Sequence, residues 1–201
     1  IDVEIVKQKS YGEKMSDTKW MKNYFELYND AIYNEKIFED LLSLKSIMES
    51  VNKKNGKVVL FGNGGSAAIA SHVAVDLVKN ASIKSTTYNE YDLITCLSND
   101  YGFSRWMEKA IEYYCTDNDL VILISSSGNS ENVINAAKKC KEMNIKVATF
   151  SGFDSNNQLK QLGDINFWLD SKAYNIVEMT HQIWLLGVVD AIIGSAEYSA
   201  S

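Results

Sequence analysis

Apolar residues recur at spacings of three and four from Ser16 to Lys54, which is the spacing of an amphipathic helix. Trp20 is the first large apolar residue of this stretch, and the pattern breaks near Asn34 and Glu35. The sequence therefore predicts two amphipathic helices, or one long helix with a bend. Residues 1–15 have weak periodicity and are expected to form an arm.

The pattern changes at residue 57, where short continuous apolar runs begin to alternate with helical stretches. Residues 57–61 and 119–124 are typical of strands buried on both faces, and each is followed by a helix, over 67–79 and 131–143. Further strands are expected near 85–88, 146–150 and 165–169, and further helices near 103–114 and 175–193. Strands that alternate with helices predict parallel βαβ units. We therefore expect an α/β fold, a three-layer α-β-α sandwich with an open, mainly parallel sheet, preceded by N-terminal helices.

Composition and charge exclude some classes of binding partner. The 201 residues carry 20 Lys and Arg against 26 Asp and Glu, a net charge of −6, which argues against general nucleic-acid binding. No run of about 18 apolar residues is present, so no membrane-spanning helix is expected. The three cysteines are far apart and in no metal-binding spacing, which favours reduced thiols in a cytoplasmic protein.

Two polar loops follow the buried strands. Residues 62–66 are rich in glycine, which lets the backbone approach a ligand closely, and residues 125–130 are rich in serine. Each loop precedes a helix, whose free N–H groups attract anions. The sequence predicts a phosphate monoester site lined by Gly64, Ser66, Ser125, Ser126, Ser127 and Ser130. The alternative is that these residues only form turns and helix caps.

Nucleotide binding is the competing interpretation of the first loop. No Lys-Ser or Lys-Thr follows the glycines, so the loop is not a P-loop. Gly62, Gly64 and Ala67 loosely fit the dinucleotide fingerprint, but Glu90, the nearest acidic residue for a ribose, comes rather late. A nucleotide-binding oxidoreductase is therefore the least favoured hypothesis.

The order of these segments resembles a known family. Residues 62–67 (GNGGSA) are followed by His72 and by an acid at position 76, then by residues 98–100 (SND) and 124–133 (ISSSGNSENV). Together with residues 175–182 (NIVEMTHQ), they resemble the sugar isomerase (SIS) fold, and within it the phosphoheptose isomerase group. The resemblance covers nearly the whole chain. It implies a flavodoxin-like SIS domain over residues 56–201, after an N-terminal helical segment over residues 1–55.

The resemblance also implies an activity and site residues. Such enzymes convert sedoheptulose 7-phosphate from a 2-ketose to an aldose through an enediol, feeding heptose into cell-surface polysaccharide synthesis. Ser66, Ser125, Ser126, Ser127 and Ser130 match the phosphate-binding positions, and Asn63, Asn99 and Asp100 match positions that line the sugar. The family is usually homotetrameric with sites between subunits, and some members hold zinc.

The chain departs from the family at three positions. The catalytic glutamate of the family is Asp76 here, its glutamine on the last helix is Glu178, and a histidine eight residues later is Leu186. Aspartate is one methylene shorter than glutamate, which withdraws the carboxylate by roughly 1.5 Å. A misplacement near 1 Å can cost about 100-fold in rate.

Proton transfer between C1 and C2 needs a positioned base and a donor to the oxygens. Asp76 is the candidate base, His72 shares its helix face, and Glu178 completes the catalytic candidates. The same three side chains have the types required for a zinc site, although no cofactor is expected to be required. Gln182 is the expected polar neighbour of Glu178 on the last helix, whereas His181 points elsewhere and is expected to be a structural histidine.

The favoured hypothesis is a cytoplasmic phosphosugar isomerase that acts on sedoheptulose 7-phosphate or a similar sugar phosphate with Asp76 as its base. The alternative is a non-catalytic regulatory or scaffold protein that binds a phosphosugar and has lost the catalytic histidine. In both cases the expected partners are a sugar phosphate and further copies of the chain in a homotetramer, without nucleic acid or membrane.

Overall fold

A computed structural model describes residues 16–33 and 35–199 of the chain. Its strands form one five-stranded sheet in the order β2-β1-β3-β4-β5, and every neighbouring pair is parallel. The strands are β1 (Val58–Gly62), β2 (Ser85–Thr87), β3 (Leu120–Ser125), β4 (Lys146–Ser151) and β5 (Ile165–Trp168). The predicted α/β fold with an open parallel sheet is confirmed.

Two helices precede the sheet and five follow its strands in the described residues. They are α1 (Asp17–Ile32), α2 (Glu35–Lys53), α3 (Gly65–Lys79), α4 (Tyr91–Tyr101), α5 (Trp106–Tyr114), α6 (Glu131–Glu142) and α7 (Tyr174–Ile193). The N-terminal pattern is thus resolved as two helices rather than one bent helix.

Alternation along the central strands divides the core into two halves. Val58 and Leu60 of β1 face a cluster shared with α1, α2, α3 and α7. Val59 and Phe61 face a second cluster shared with α4, α5 and α6. Successive side chains of a strand point to opposite faces, so continuous apolar runs are needed where both faces are covered. The predicted three-layer sandwich is therefore confirmed.

Helix α7 is long and apolar enough to cross a membrane when only length and composition are considered. It packs against α1, α2 and α3 and contributes residues such as Val177, Leu185 and Val189 to the core. These contacts are those of a core helix in the sandwich.

The region between β2 and β3 differs from the expectation. The pattern does not predict α4, which buries Leu97 alone and ends at Gly102, where φ is +86°. The helix expected from residue 103 begins instead with a 3₁₀ turn, Phe103–Arg105, and becomes α-helical at Trp106. Leu93, Ile94 and Leu97 are the apolar residues of α4 that reach the core, and so short a stretch does not identify a helix from the sequence pattern.

Helices α1 and α2 pack on the same core as α3 and α7, through Ala31 and Leu44 among others. The division at residue 55 into a helical segment and an SIS domain stays a prediction. The arm expected over residues 1–15 and the last two residues of the expected domain, 200–201, lie outside the described residues.

Candidate functional site

The carboxyl ends of β1 and β3 lie side by side, with Gly62 opposite Ile124 in the parallel register. The strand order reverses between these two strands, because the chain runs from β1 outward to β2 and then returns to β3. In open α/β sheets such a switch point leaves a crevice between the diverging loops, where ligands bind. The two predicted loops therefore meet at one crevice.

This crevice contains a cavity of about 120 Å³. Its lining residues come from both loops and from the start of α7: Asn63, Ser66, Ile124, Ser125, Ser126, Ser127, Ser130, Tyr174 and Glu178. All five predicted phosphate-binding serines therefore line one cavity, as do Asn63 and Glu178. Their binding role stays a prediction.

Hydroxyls and helix N-termini supply the donors around the cavity. Helix α3 begins at Gly65, and α6 begins at Glu131 after the N-cap residue Ser130. The Ser130 hydroxyl makes no capping bond and instead accepts a hydrogen bond from Ser125 Oγ at 3.2 Å. Its own proton is therefore available to a ligand. No lysine or arginine is among the lining residues, so a phosphate in the cavity would be held by neutral donors and helix dipoles.

The Glu178 carboxylate borders the same cavity. Ser126 Oγ donates to Glu178 Oε1 at 3.4 Å, which directs this hydroxyl toward the carboxylate. Gly65 makes room for the contact, because a Cβ at that position would collide with the Glu178 carboxylate. Of the predicted serines, Ser126 is thus engaged with Glu178.

A second polar cluster joins α3 to α7. Gln182 Nε2 donates to His72 Nδ1 at 2.9 Å, so the proton of the neutral imidazole lies on Nε2, which faces Asp76 Oδ2 at 3.4 Å. Asn80 Nδ2 donates to Asp76 Oδ1 at 3.2 Å. Gln182 therefore contacts His72 of α3 and not Glu178, its expected neighbour on α7.

The second cluster lies beyond the cavity along α3. At 1.5 Å per residue, His72 is about 9 Å and Asp76 about 15 Å along the helix axis from Ser66. None of His72, Asp76 and Gln182 lines the cavity. A ligand held at Ser66 would need an extended chain to approach the cluster.

The proposed zinc ligands do not form one group. Among the described residues, no three His, Cys, Asp or Glu side chains lie close enough together to hold a metal ion. Glu178 bonds to Ser126 beside Gly65, whereas His72 and Asp76 lie next to each other further along α3. The side chains of this chain therefore do not fit the zinc site expected from His72, Asp76 and Glu178.

Three further predicted residues lie outside the cavity lining. Gly64 is the N-cap residue of α3 and has a φ of +53°, a conformation that glycine adopts readily. Asn99 and Asp100 lie at the end of α4, where Asn99 Nδ2 donates to Asp100 Oδ1 at 2.9 Å. Both of their side chains are exposed, so in this chain they do not join the serines.

His181 is the structural histidine that the helix geometry predicts. It is fully buried, and its Nε2 lies 3.1 Å from the carbonyl oxygen of Ser151. Burial lowers the pKa of His181 to about 4, although the bond to Ser151 opposes this shift. The ring is neutral at pH 7 and does not contact the cavity.

Sequence reasoning missed three residues around the site. Tyr174 lines the cavity, and no local pattern marks it. Asn157 is buried and donates to the carbonyls of Gly152 and Asp154, which fixes the segment beside Gly128. Asn132 is buried in the first turn of α6, where a polar residue in an otherwise apolar face could have identified it.

Comparisons with known proteins agree with this architecture. The SIS domain family matches residues 23–152 of the chain. The phosphoheptose isomerase of Aquifex aeolicus is 33% identical over 151 residues, which cover 71% of this chain and 78% of that protein. The phosphoheptose isomerase of Aliarcobacter butzleri is 34% identical over 73% of this chain and 80% of its own length.

Comparison with solved structures also finds phosphoheptose isomerases. The phosphoheptose isomerase of Neisseria gonorrhoeae superposes with a TM-score of 0.78 at 26% identity, over 87% of this chain and 96% of that chain. The phosphoheptose isomerase of Francisella tularensis superposes with a TM-score of 0.79 at 25% identity, over 90% and 100% of the two chains. From its fold, its crevice and these relatives, the chain belongs to the SIS domain family, in the group of the phosphoheptose isomerases.

Proposed function

We propose that the chain is a phosphosugar isomerase that interconverts a 2-ketose phosphate and an aldose phosphate, with sedoheptulose 7-phosphate as the first candidate. The observation that carries the proposal is the convergence of both predicted loops on one cavity. A phosphate there would accept hydrogen bonds from Ser66, Ser127 and Ser130 and from the first N–H groups of α3 and α6.

The reaction requires proton transfer but no redox step. A base takes a proton from C1 of the ketose, the C1–H electron pair forms the C1=C2 bond, and O2 gains a proton to give the enediol. The proton held by the base then returns to C2, while O1 loses its proton and becomes the aldehyde oxygen. We assign the base to Asp76, with His72 and Gln182 fixing the orientation of its carboxylate, and Glu178 remains a second catalytic candidate.

The arrangement along α3 supports this assignment for a long sugar. The phosphate donors begin at Ser66, and the Asp76 backbone lies about 15 Å further along the helix axis. The side chains of a helix lean toward its N-terminus, which shortens this distance. A seven-carbon sugar with its phosphate on the far carbon is extended enough to approach both ends. The reaction would supply heptose phosphate for cell-surface polysaccharides, including lipopolysaccharide.

Turnover distinguishes this function from the alternative of a non-catalytic phosphosugar-binding protein. The purified chain is incubated with sedoheptulose 7-phosphate, and the aldose is measured. We expect turnover that is abolished by Asp76→Asn. Tight binding without turnover would support the regulatory protein instead.

Two serine substitutions test the phosphate cavity. Ser127→Ala and Ser130→Ala each remove a donor to a charged group, so each should raise KM about tenfold or more while changing kcat less. Ser46→Ala is the matched control, because its hydroxyl bonds to the Leu42 carbonyl on α2. An unchanged KM in both serine variants would place the phosphate elsewhere.

We also propose that the chain assembles as a cytoplasmic homotetramer. An apolar groove of about 350 Å³ lies among α1, α2 and α7. Phe38, Leu42 and Ile183 line it and are 38%, 57% and 42% exposed. Burying such a surface against further copies of the chain would remove it from water and place sites between subunits.

A further inference from the structure

The first loop and α6, the helix that follows the second loop, are joined by a pair of amides. Asn63 Nδ2 donates to Asn132 Oδ1 at 3.0 Å, and Asn132 Nδ2 donates to Asn63 Oδ1, also at 3.0 Å. The partners are 69 residues apart in the sequence and belong to opposite sides of the crevice. The pair therefore fixes the distance between the loop after β1 and the helix after β3.

Burial restricts the orientation of the Asn132 side-chain amide. Asn132 is only 2% exposed, and its Oδ1 also accepts the backbone N–H of Val133 at 3.0 Å. A buried amide without partners is costly, so the Asn132 side chain has one favourable orientation.

The pair leaves part of Asn63 free. An asparagine amide has two N–H groups and two acceptor lone pairs, and the pair uses one N–H and one lone pair of Asn63. Asn63 lines the phosphate cavity, and its backbone carbonyl accepts the N–H of Ser66 at 3.0 Å. Asn63 thus contacts Asn132 through its side chain and the start of α3 through its backbone.

We infer that Asn132 is a positioning residue: it orients Asn63 and holds the two phosphate-binding loops at the separation that a sugar phosphate requires. This inference rests on the proposed function, and it deepens it by assigning a role to a residue that does not line the cavity. Asn132 acts on the ligand through Asn63. Its loss should weaken binding of the phosphate end of the substrate and leave the chemistry at C1 and C2 largely intact.

A double-mutant cycle tests the inference with sedoheptulose 7-phosphate as substrate. Asn132→Ala is expected to raise KM about tenfold or more and to change kcat less than threefold. Asn63→Ala should have a similar effect. Because the two residues act as one unit, the double variant should be no worse than the more impaired single variant, within a factor of about three.

Asn135→Ala is the matched control on the same helix. Asn135 Nδ2 donates to the Ser104 carbonyl at 3.0 Å, so this variant also loses a hydrogen bond between α6 and a distant loop. It should lower the melting temperature and leave KM unchanged. A merely structural role of Asn132 would give the same result as Asn135→Ala.

Several outcomes overturn the inference. A wild-type KM in Asn132→Ala, or single effects that multiply in the double variant, would show that the pair does not position the site. If Asn132→Ala does not fold, Asn63→Ala on the partly exposed loop decides, since a wild-type KM there also contradicts the inference. A wild-type chain that neither binds nor converts the sugar phosphate would instead refute the proposed function, and the inference with it.

Discussion

The two histidines of the chain differ in burial and in hydrogen-bond partners, and therefore in their expected roles. His72 is half-exposed, bonds to Gln182 and lies 3.4 Å from Asp76 Oδ2, in a cluster where a proton could be moved. His181 is buried against Phe150 and Trp184 and bonds to a backbone carbonyl. His72 is therefore available for chemistry, whereas His181 contributes to stability.

Burial of His181 predicts a loss of stability in mild acid. The ring is neutral in the folded state down to about pH 4, whereas in the unfolded chain it binds a proton below about pH 6.5. The unfolded state therefore binds more protons between these values, and the free energy of unfolding decreases as the pH falls through them. From pH 7.5 to 5.5 the expected contribution of His181 is roughly 1 kcal/mol.

Urea unfolding at pH 7.5 and 5.5 measures this contribution. His181→Gln removes the titrating ring and should lose less stability than the wild type over this interval, although it is less stable at pH 7.5. An equal loss in both proteins would show that other groups account for the pH dependence.

Only one of the 16 residues of α1 is buried in the single chain. Ala31 is its buried residue, whereas Trp20, Met21, Phe25 and Leu27 are 44% to 58% exposed. Ser16 caps its first turn by accepting the N–H of Lys19, but capping alone does not keep a helix of this length folded. In the proposed assembly a neighbouring subunit would cover these side chains.

Hydrogen exchange tests this dependence of α1 on assembly. The amides of α1 should be protected at high protein concentration and exchange faster after dilution into the subunit state, whereas those of β3 should stay protected in both. The strand is the internal control, because every residue from Leu120 to Ser125 is buried. Equal protection of α1 at all concentrations would show that its contacts within one chain are sufficient.

The position of the apolar groove relates the proposed assembly of the chain to its proposed activity. The groove among α1, α2 and α7 shares helix α7 with the cluster of His72, Asp76 and Gln182, and Gln182 directly precedes the groove residue Ile183. An interface there would also enclose that cluster and limit its contact with water. Catalytic activity and assembly are thus expected to be lost together.

A charge in the groove should separate the subunits. Leu42→Glu is expected to convert the proposed tetramer to smaller species, because a carboxylate cannot be buried without a partner, and to lower turnover if the interface encloses the site. Size-exclusion chromatography with light scattering measures the mass. Phe103→Glu is the matched control, since Phe103 is 60% exposed and lies in the opposite layer. A tetramer that survives Leu42→Glu would contradict this interface.

Much of the fold and part of the site could be predicted from local patterns. The expected strands over 57–61 and 119–124 differ from β1 and β3 by one residue at each end, because both-face burial leaves a continuous apolar run. The serines were expected at one site because carboxyl ends of parallel strands share an edge. Helix α4 and the separation of Glu178 from His72 were not predictable, since neither leaves a local pattern.

The sequence alone determined most of the elements, their parallel pairing class and the two loops that meet at the crevice, because hydrophobic period and turn chemistry act between near neighbours along the chain. Tertiary structure decided which polar groups are partners. Gln182 bonds to His72 across 110 residues, and Asn132 bonds to Asn63 across 69. Such pairs depend on how α3, α6 and α7 pack on the sheet, and the packing of whole elements fixes side-chain directions that no local spacing contains.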